Sequence, residues 1–334
     1  METQYIFENN ITPKIINRSY SGNNNTLYMS YDLLKKIVVI WNCEELCNKI
    51  KNKMYTNLFN NRISCVKPIL LNNAIIYDNG DIYSNDILYR TTYHKNDKCS
   101  YLLPINNKKN VICLTGKWSG EIFHFPFEFL CGLRLFENYN NKCIHVKKNK
   151  YTIEWLELCG ITDIIDGNYY VNELYVPYFP PCGNPDLDDI LWLKHIVEKN
   201  IVKKDIVKNI ILVKRNKTRC IQNYFELEQY VITYAINNNL NLIIHDDDNL
   251  PSLKMQLQYF NEAKIIITPH GGSEVNLIAC NKNAIVIELM DIDYTNICFA
   301  RIAYFLNLNY YAIETNNYVV NMRDIHNILT GNVI

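Results

Sequence analysis

Residues 265–289 read IIITPHGGSEVNLIACNKNAIVIEL. An apolar run stops at Pro269, His270, Gly271 and Gly272. A helix-like stretch follows, and a second apolar run begins at Ala284. A short, unbroken apolar run bounded by turn residues is the pattern of a strand buried on both faces. Strand, glycine loop, helix and strand in that order form one unit of a parallel sheet, because parallel neighbours need a crossover between them.

The same alternation continues on both sides. Upstream, 188–201 (DDILWLKHIVEKNI) reads as a helix, 208–215 (KNIILVKR) as a strand and 223–238 as a helix. Residues 240–246 then read as a strand and 252–263 as a helix. Downstream come a strand over 284–291, a helix over 296–307 and a strand over 309–314. This predicts an α/β fold with a doubly wound parallel sheet, which binds ligands at the carboxyl ends of its strands. In the first half, 33–41, 74–84 and 108–116 carry strands, with a hairpin turn at Asn79-Gly80. A helix is expected through 121–138, starting near Pro126, and another over 152–161 with Gly160 as its cap. Residues 169–179 read as extended. Four prolines and a glycine crowd PYFPPCGNPDLDD (177–189), which marks a linker. The expected division is an amino-terminal α/β domain over 1–178, a linker over 179–185 and a carboxyl-terminal domain over 186–334.

Length and composition bound the rest. The 334 residues exceed the roughly 150 of one domain. Basic and acidic residues balance at 34 each, for zero net charge, which argues against broad nucleic-acid binding. The 12 cysteines form no CxxC pair, so buried reduced thiols are expected rather than a zinc site. No apolar stretch reaches ~18 residues, so no membrane span is expected. The first residues, METQYIFENN, do not read as a signal peptide.

Four constellations can carry chemistry. In PHGGSE, Gly271 and Gly272 let the backbone approach a ligand, and the N–H groups at the following helix start favour an anion such as a diphosphate. Ser273 can cap the helix or donate to phosphate, and His270 can bond phosphate; a plain strand-to-helix turn reads equally well. In KWSGEIFHFPFEF, His124 and Glu128 are four apart, which suits a base and its orienter or a half-buried amphipathic helix. Arg134 lies further along and can pair with Glu128 or bind an anion. In VKRNKTRCIQN, Lys214, Arg215, Lys217 and Arg219 leave a strand as phosphate binders or as a solvated charge run. In HDDDNL, Asp246 and Asp248 form a DxD that can hold a metal or cap the next helix. Phosphate loop, dinucleotide fingerprint, nucleophile elbow and HExxH motifs do not occur.

Three of these constellations occur in an order that resembles glycosyltransferase family 61. The early motif is matched by His124, Glu128 and Arg134, and the middle one by Arg215, Arg219 and Asn223. The last is matched by Gln256, His270, Gly271, Asn276 and Glu288. The resemblance implies a GT-B architecture, two Rossmann-like domains facing across a cleft, and an inverting transfer with no metal or other cofactor required. It implies a nucleotide-sugar donor, expected to be a UDP-sugar, and a glycan or glycoprotein acceptor. Glu128 or His124 would be the base. Arg215, Arg219, Asn223, His270, Gly271, Gly272, Ser273, Asn276 and Glu288 would bind the donor, with Asn276 and Glu288 fixing the loop or touching the ribose. Two departures stand out: Gly272-Ser273 replaces the family's small residue and glycine, and NKNA replaces its proline pair. The membrane anchor of Golgi members is not matched, so a cytoplasmic location is expected, that of the host if the source is viral. The alternatives are a metal-dependent GT-A enzyme using Asp246 and Asp248, or an inactive nucleotide-sugar or glycan-binding protein.

Overall fold

The structure, a computed structural model, describes residues 14–17, 26–27, 37–40, 61–62, 68–90, 103–136, 138–177, 179–180, 183, 185–202, 207–291, 293–294, 296 and 298–331. Their strands and helices, in chain order, begin with β1 Lys14–Asn17, β2 Thr26–Leu27, β3 Ile37–Ile40, β4 Asn61–Arg62, β5 Ile69–Ile76, β6 Ile82–Ser84, β7 Ile87–Arg90 and β8 Asn106–Cys113. Next come β9 Cys143–His145, α1 Lys150–Leu158, β10 Ile164–Ile165, β11 Tyr169–Val176, α2 Leu187–Asn200, β12 Asn209–Lys214 and α3 Tyr224–Asn237. The series ends with β13 Asn241–Asp246, α4 Leu253–Asn261, β14 Ala263–Pro269, β15 Ile285–Asp291, α5 Cys298–Phe305, β16 Asn309–Thr315 and α6 Met322–Thr330. The described residues form two compact units, those of Met1–Asn25 with Ser64–Pro185 and those of Thr26–Ile63 with Asp186–Ile334.

The first unit holds a mixed sheet in the order β1-β7-β6-β5-β11-β8-β9-β10. β5, β6 and β7 run antiparallel, whereas β11, β8, β9 and β10 are parallel. The β5–β6 turn has three residues, Asp78 to Gly80, closed by Tyr77 N–H donating to the Asp81 carbonyl at 2.9 Å. Only Gly80 of the expected Asn-Gly pair takes a positive φ, +83°, as in a three-residue hairpin loop. The α1 helix starts with a reciprocal cap: the Asn149 side chain accepts from Thr152 N–H, and Thr152 Oγ1 accepts from Asn149 N–H. It ends at Gly160, φ +73°, with Ile161 N–H on the Leu156 carbonyl and Gly160 N–H on that of Glu157, a Schellman closure.

The second unit's main sheet is wholly parallel, in the order β13-β12-β14-β15-β16-β3. β12, β14 and β15 are buried along nearly their whole length, as central parallel strands covered on both faces must be. A core of Ile210, Leu212, Ile265, Ile267, Ile287 and Leu289 packs under Leu227 and Val231 of α3 and Ile325 and Ile328 of α6. From β12 the chain steps to one side for β13, then to the other for β14. The reversal opens a crevice at the carboxyl ends of β12 and β14.

Three sequence expectations change. The 121–138 stretch is not an α-helix. Phe125–Phe129 is a π turn, and Leu130–Leu135 is a 3₁₀ helix. Pro126 removes one donor and Gly132 weakens helix propensity, so the ordinary ladder gives way to wider and tighter turns. The helix expected over 274–281 is a 3₁₀ segment, Gly272–Ala279, which starts straight from the extended Gly271 and is tied by Glu274 to the Gly271 N–H and by Asn276 to Gln256 of α4. Helix α6 was not expected, although Asn321 caps it and Gly331, φ +75°, ends it. Expectations on Cys43, Cys47, Cys65, Cys99 and Cys182 lie outside the described residues. Of the remaining cysteines, all are free and only Cys220 is less than buried. None of the described helices is long and apolar enough to cross a membrane.

Gly160 and Gly80 separate backbone strain from steric conflict. A Cβ on Gly160 meets nothing within 4 Å, whereas one on Gly80 would lie 2.4 Å from the Thr115 carbonyl oxygen. Gly160→Ala should therefore cost about 1 kcal/mol, the left-handed penalty alone, and Gly80→Ala distinctly more. Urea unfolding followed by circular dichroism measures both, and equal losses would contradict the packing at Gly80.

Candidate functional site

Three loops of the second unit meet where adjacent parallel strands end. They are 215–219 after β12, 246–248 after β13 and 270–274 after β14. Arg215 ties them together. Its Nε donates to the Thr218 carbonyl at 2.9 Å and its Nη2 to Thr218 Oγ1 at 3.1 Å. Its Nη1 donates to the His270 carbonyl at 3.0 Å. Asp247 lies 3.6 Å from Arg215 Nε and accepts from Ser273 Oγ at 3.2 Å. The guanidinium rests where a side chain at residue 271 would start, since a Cβ there would lie 1.4 Å from Arg215 Nη1. Gly271 is extended, with φ 166°. Space, not backbone freedom, demands glycine at this position.

Arg219 differs. It takes a left-handed backbone, φ +57°, and its guanidinium lies over the Tyr294 ring at 5.1 Å. It makes no hydrogen bond or ion pair with another described residue. Burial, then the nearby Arg219 charge, push the Arg215 guanidinium below its ordinary value, while Asp247 and Glu274 oppose this. Arg215 is thus a staple between loops, whereas Arg219 meets the described residues only through the Tyr294 ring.

His270 is buried between Tyr294 and Phe299, with ring centroids 5.6 and 5.3 Å away. Its Nδ1 is hydrogen-bonded to Glu288 Oε1, and Tyr310 donates its hydroxyl to Glu288 Oε2. Both oxygens of the fully buried Glu288 are thereby engaged, and the first of them fixes the His270 ring from below. Asn276 donates to Gln256 Oε1 at 3.2 Å, Gln256 also touches His245 Nε2 at 3.2 Å, and its amide donates to the Pro251 carbonyl. Burial pushes His245 below its ordinary value, so this network braces the 3₁₀ segment as a neutral system. Asn223 exchanges hydrogen bonds with the Val320 backbone at 2.9 Å in each direction, which ties α3 to the approach to α6. Gly272 and Ser273 open the 3₁₀ segment and stay half-buried.

The two aspartates of the DxD lie against the basic loop. Asp246 accepts from Asn216 at 2.6 Å and lies 3.4 Å from Lys214, and Asp248 lies 3.8 Å from Lys217. The Asp248 N–H, with Asn216 and Lys214, holds the Asp246 carboxyl below the usual carboxylate range. Among the described residues, ligand atoms close enough for a metal occur at His270, Glu274 and Glu288, within 4.8 Å of one another. The hydrogen bond between His270 Nδ1 and Glu288 joins two of these three residues directly. Sequence reasoning missed Glu274, Asp247 and Tyr310. The signal for Glu274 was its place three residues after Gly271, where a carboxylate can return to the starting N–H.

In the first unit, the segment after β8 presents His124 Nδ1 2.9 Å from Glu128 Oε2. Glu128 Oε1 accepts from Gly183 N–H at 2.8 Å. The His124 side chain keeps 22% exposure against 2% for Glu128. Trp118, φ +68°, stacks on the His124 ring at 5.2 Å and 27°. Arg134 lies half-buried in the 3₁₀ helix that follows.

Residues 122–287 match the profile described as Glycosyltransferase 61. The match takes in His124, Glu128 and Arg134, both loop arginines, Asn223 and the whole 270–276 loop, and it ends one residue before Glu288. No curated protein matches the chain. Solved structures with some similarity include two mutants of the flavo di-iron protein from Thermotoga maritima, each 13% identical. They cover 75% of this chain with TM-scores of 0.31 and 0.29, and the chain spans 59% and 58% of theirs. Over residues 122–287, this chain is a member of glycosyltransferase family 61.

Proposed function

We propose that the protein is an inverting glycosyltransferase that moves a sugar from a nucleotide-sugar, a UDP-sugar by preference, to a hydroxyl of a glycan or protein acceptor. The observation that carries this reading is Arg219, a cation with no hydrogen-bond or ion-pair partner among the described residues, at the strand-order reversal of a family 61 chain. His270 packs against the same Tyr294 ring, and the 3₁₀ segment opens two residues later at Gly272. Together they can neutralise a leaving diphosphate without a metal. In this reading the unit of Asp186–Ile334 binds the donor and that of Ser64–Pro185 carries the base, a GT-B division of labour. His124 takes the acceptor proton, since it is the more exposed of its pair, and Glu128 orients the ring.

Arg219 and Arg215 should separate cleanly. Charge-assisted hydrogen bonds are worth about 1.5–3 kcal/mol. Arg219→Ala should therefore weaken UDP binding roughly ten- to hundredfold, with little change in Tm. Arg215→Ala should lower Tm as well, because it empties the space beside Gly271 and frees two loops. Calorimetry with UDP and thermal unfolding check both, and wild-type UDP affinity in Arg219→Ala would remove the assigned diphosphate contact.

The base assignment makes a second prediction. His124→Ala should cut transfer by about 10²–10⁴ while leaving UDP affinity unchanged. Glu128→Gln should slow transfer less, because a neutral partner can still position the ring. Steady-state turnover with a responsive acceptor decides it: full activity in His124→Ala means that the proton goes elsewhere.

A further inference from the structure

Glu274 is fully buried in the first turn of the 3₁₀ segment. Its Oε2 accepts from Gly271 N–H at 2.9 Å. Its Oε1 is reached by no donor, although it is sealed from solvent. The polar group beside it is Glu288, another acceptor, with ligand atoms of both residues and of His270 within 4.8 Å of one another. Two ionised carboxylates facing each other in a closed, low-dielectric space repel strongly, and the uncompensated oxygen adds its own desolvation cost. One proton between them removes both penalties.

We propose that Glu274 carries a proton and donates it to Glu288, and that this neutral–ionised pair sets the tautomer and ring orientation of His270. Glu288 then accepts three hydrogen bonds, from the Glu274 carboxyl, the Tyr310 hydroxyl and His270 Nδ1–H. With the hydrogen on Nδ1 committed inward, Nε2 is the ring atom left to face a ligand. Glu274 is a positioning residue in this scheme, acting on His270 through Glu288. Burial and then the Glu288 charge hold the Glu274 carboxyl well above the usual carboxylate range, opposed by the Gly271 N–H and by Arg215.

The groups facing this pair come from every neighbouring element. They are His270 from the loop after β14, Glu288 from β15, Tyr310 from β16, Arg215 from the loop after β12, and Cys298 of α5 beyond Tyr310. The proton is bound more tightly folded than unfolded. Its stabilisation is therefore complete below the unfolded carboxyl value of 4.5 and is lost as pH rises toward the folded value.

The inference stands on the ligand-free protein and does not need the donor reading. Infrared spectroscopy of that protein at neutral pH should show a carboxylic-acid carbonyl band that shifts in heavy water. The band should persist in Glu128→Gln, the control for a buried carboxyl outside this cluster, and vanish in Glu274→Gln. Glutamine mimics the protonated acid, so Glu274→Gln should keep the UDP affinity of wild type to within about twofold. Glu288→Gln should lose roughly tenfold or more. The Tm of wild type should fall relative to Glu274→Gln as pH rises above the unfolded carboxyl value of 4.5. No acid band in wild type, or one that disappears in Glu128→Gln, overturns the proposal even if Glu274→Gln fails to fold. A band in wild type together with no UDP binding would instead sink the donor reading and leave the shared proton in place.

Discussion

The arrangement of the carboxyl-terminal unit's loops depends on one contact, the Arg215 guanidinium lying in the space that glycine leaves open at residue 271. From there it reaches the Thr218 carbonyl and hydroxyl in its own loop and the His270 carbonyl in the next. A planar group with several donors in a fixed fork can hold two backbones at once, which an ammonium cannot do with the same geometry. The two loops flank the reversal in strand order, the place where a parallel sheet leaves a crevice. The loops at the reversal are therefore held by a staple, and the neighbouring Arg219 lies over the Tyr294 ring instead of joining it.

Two buried polar systems lie beneath these loops. Glu288, Tyr310, His270 and Glu274 form one, and His245, Gln256 and Asn276 form the other. Each puts polar atoms at the carboxyl ends of strands whose other side chains are aliphatic. In a low-dielectric interior such groups stabilise only when nearly every donor and acceptor is matched. That requirement is what makes them rigid: the His270 ring is held by a carboxylate inside and by Tyr294 and Phe299 around it. The 3₁₀ segment after Gly271 is pinned in the same way, by Glu274 at its start and Asn276 in its middle.

Much of the fold was legible in the sequence because its signals are local. Unbroken apolar runs gave β12, β14 and β15, and the helices between them followed from their period. The 121–138 segment was misread because its aromatic run has the composition of a helix, while Pro126 and Gly132 alter the hydrogen-bond ladder in ways that periodicity does not register. The site was half legible. His270, Gly271, Arg215 and Arg219 stood out by type and place, and so did His124 with Glu128. Which of them are tied to neighbouring loops did not. Arg215 and Arg219 look alike in VKRNKTRC, and Asp246 and Asp248 look like a metal pair until Lys214, Lys217 and Asn216 are seen against them.

By itself the sequence determined the alternation of strand and helix, the parallel sheet that follows from it, and the glycine loop at a strand's carboxyl end. These depend on side-chain period and backbone freedom within a few residues. Only the tertiary structure decided which charges remain available. Hydrogen bonding and burial join residues far apart in the chain: Arg215 with the His270 backbone, Glu288 with Tyr310, and Glu274 with Glu288. A charge's chemistry is set by what surrounds it in space, and those surroundings are made by strands brought side by side from distant parts of the chain.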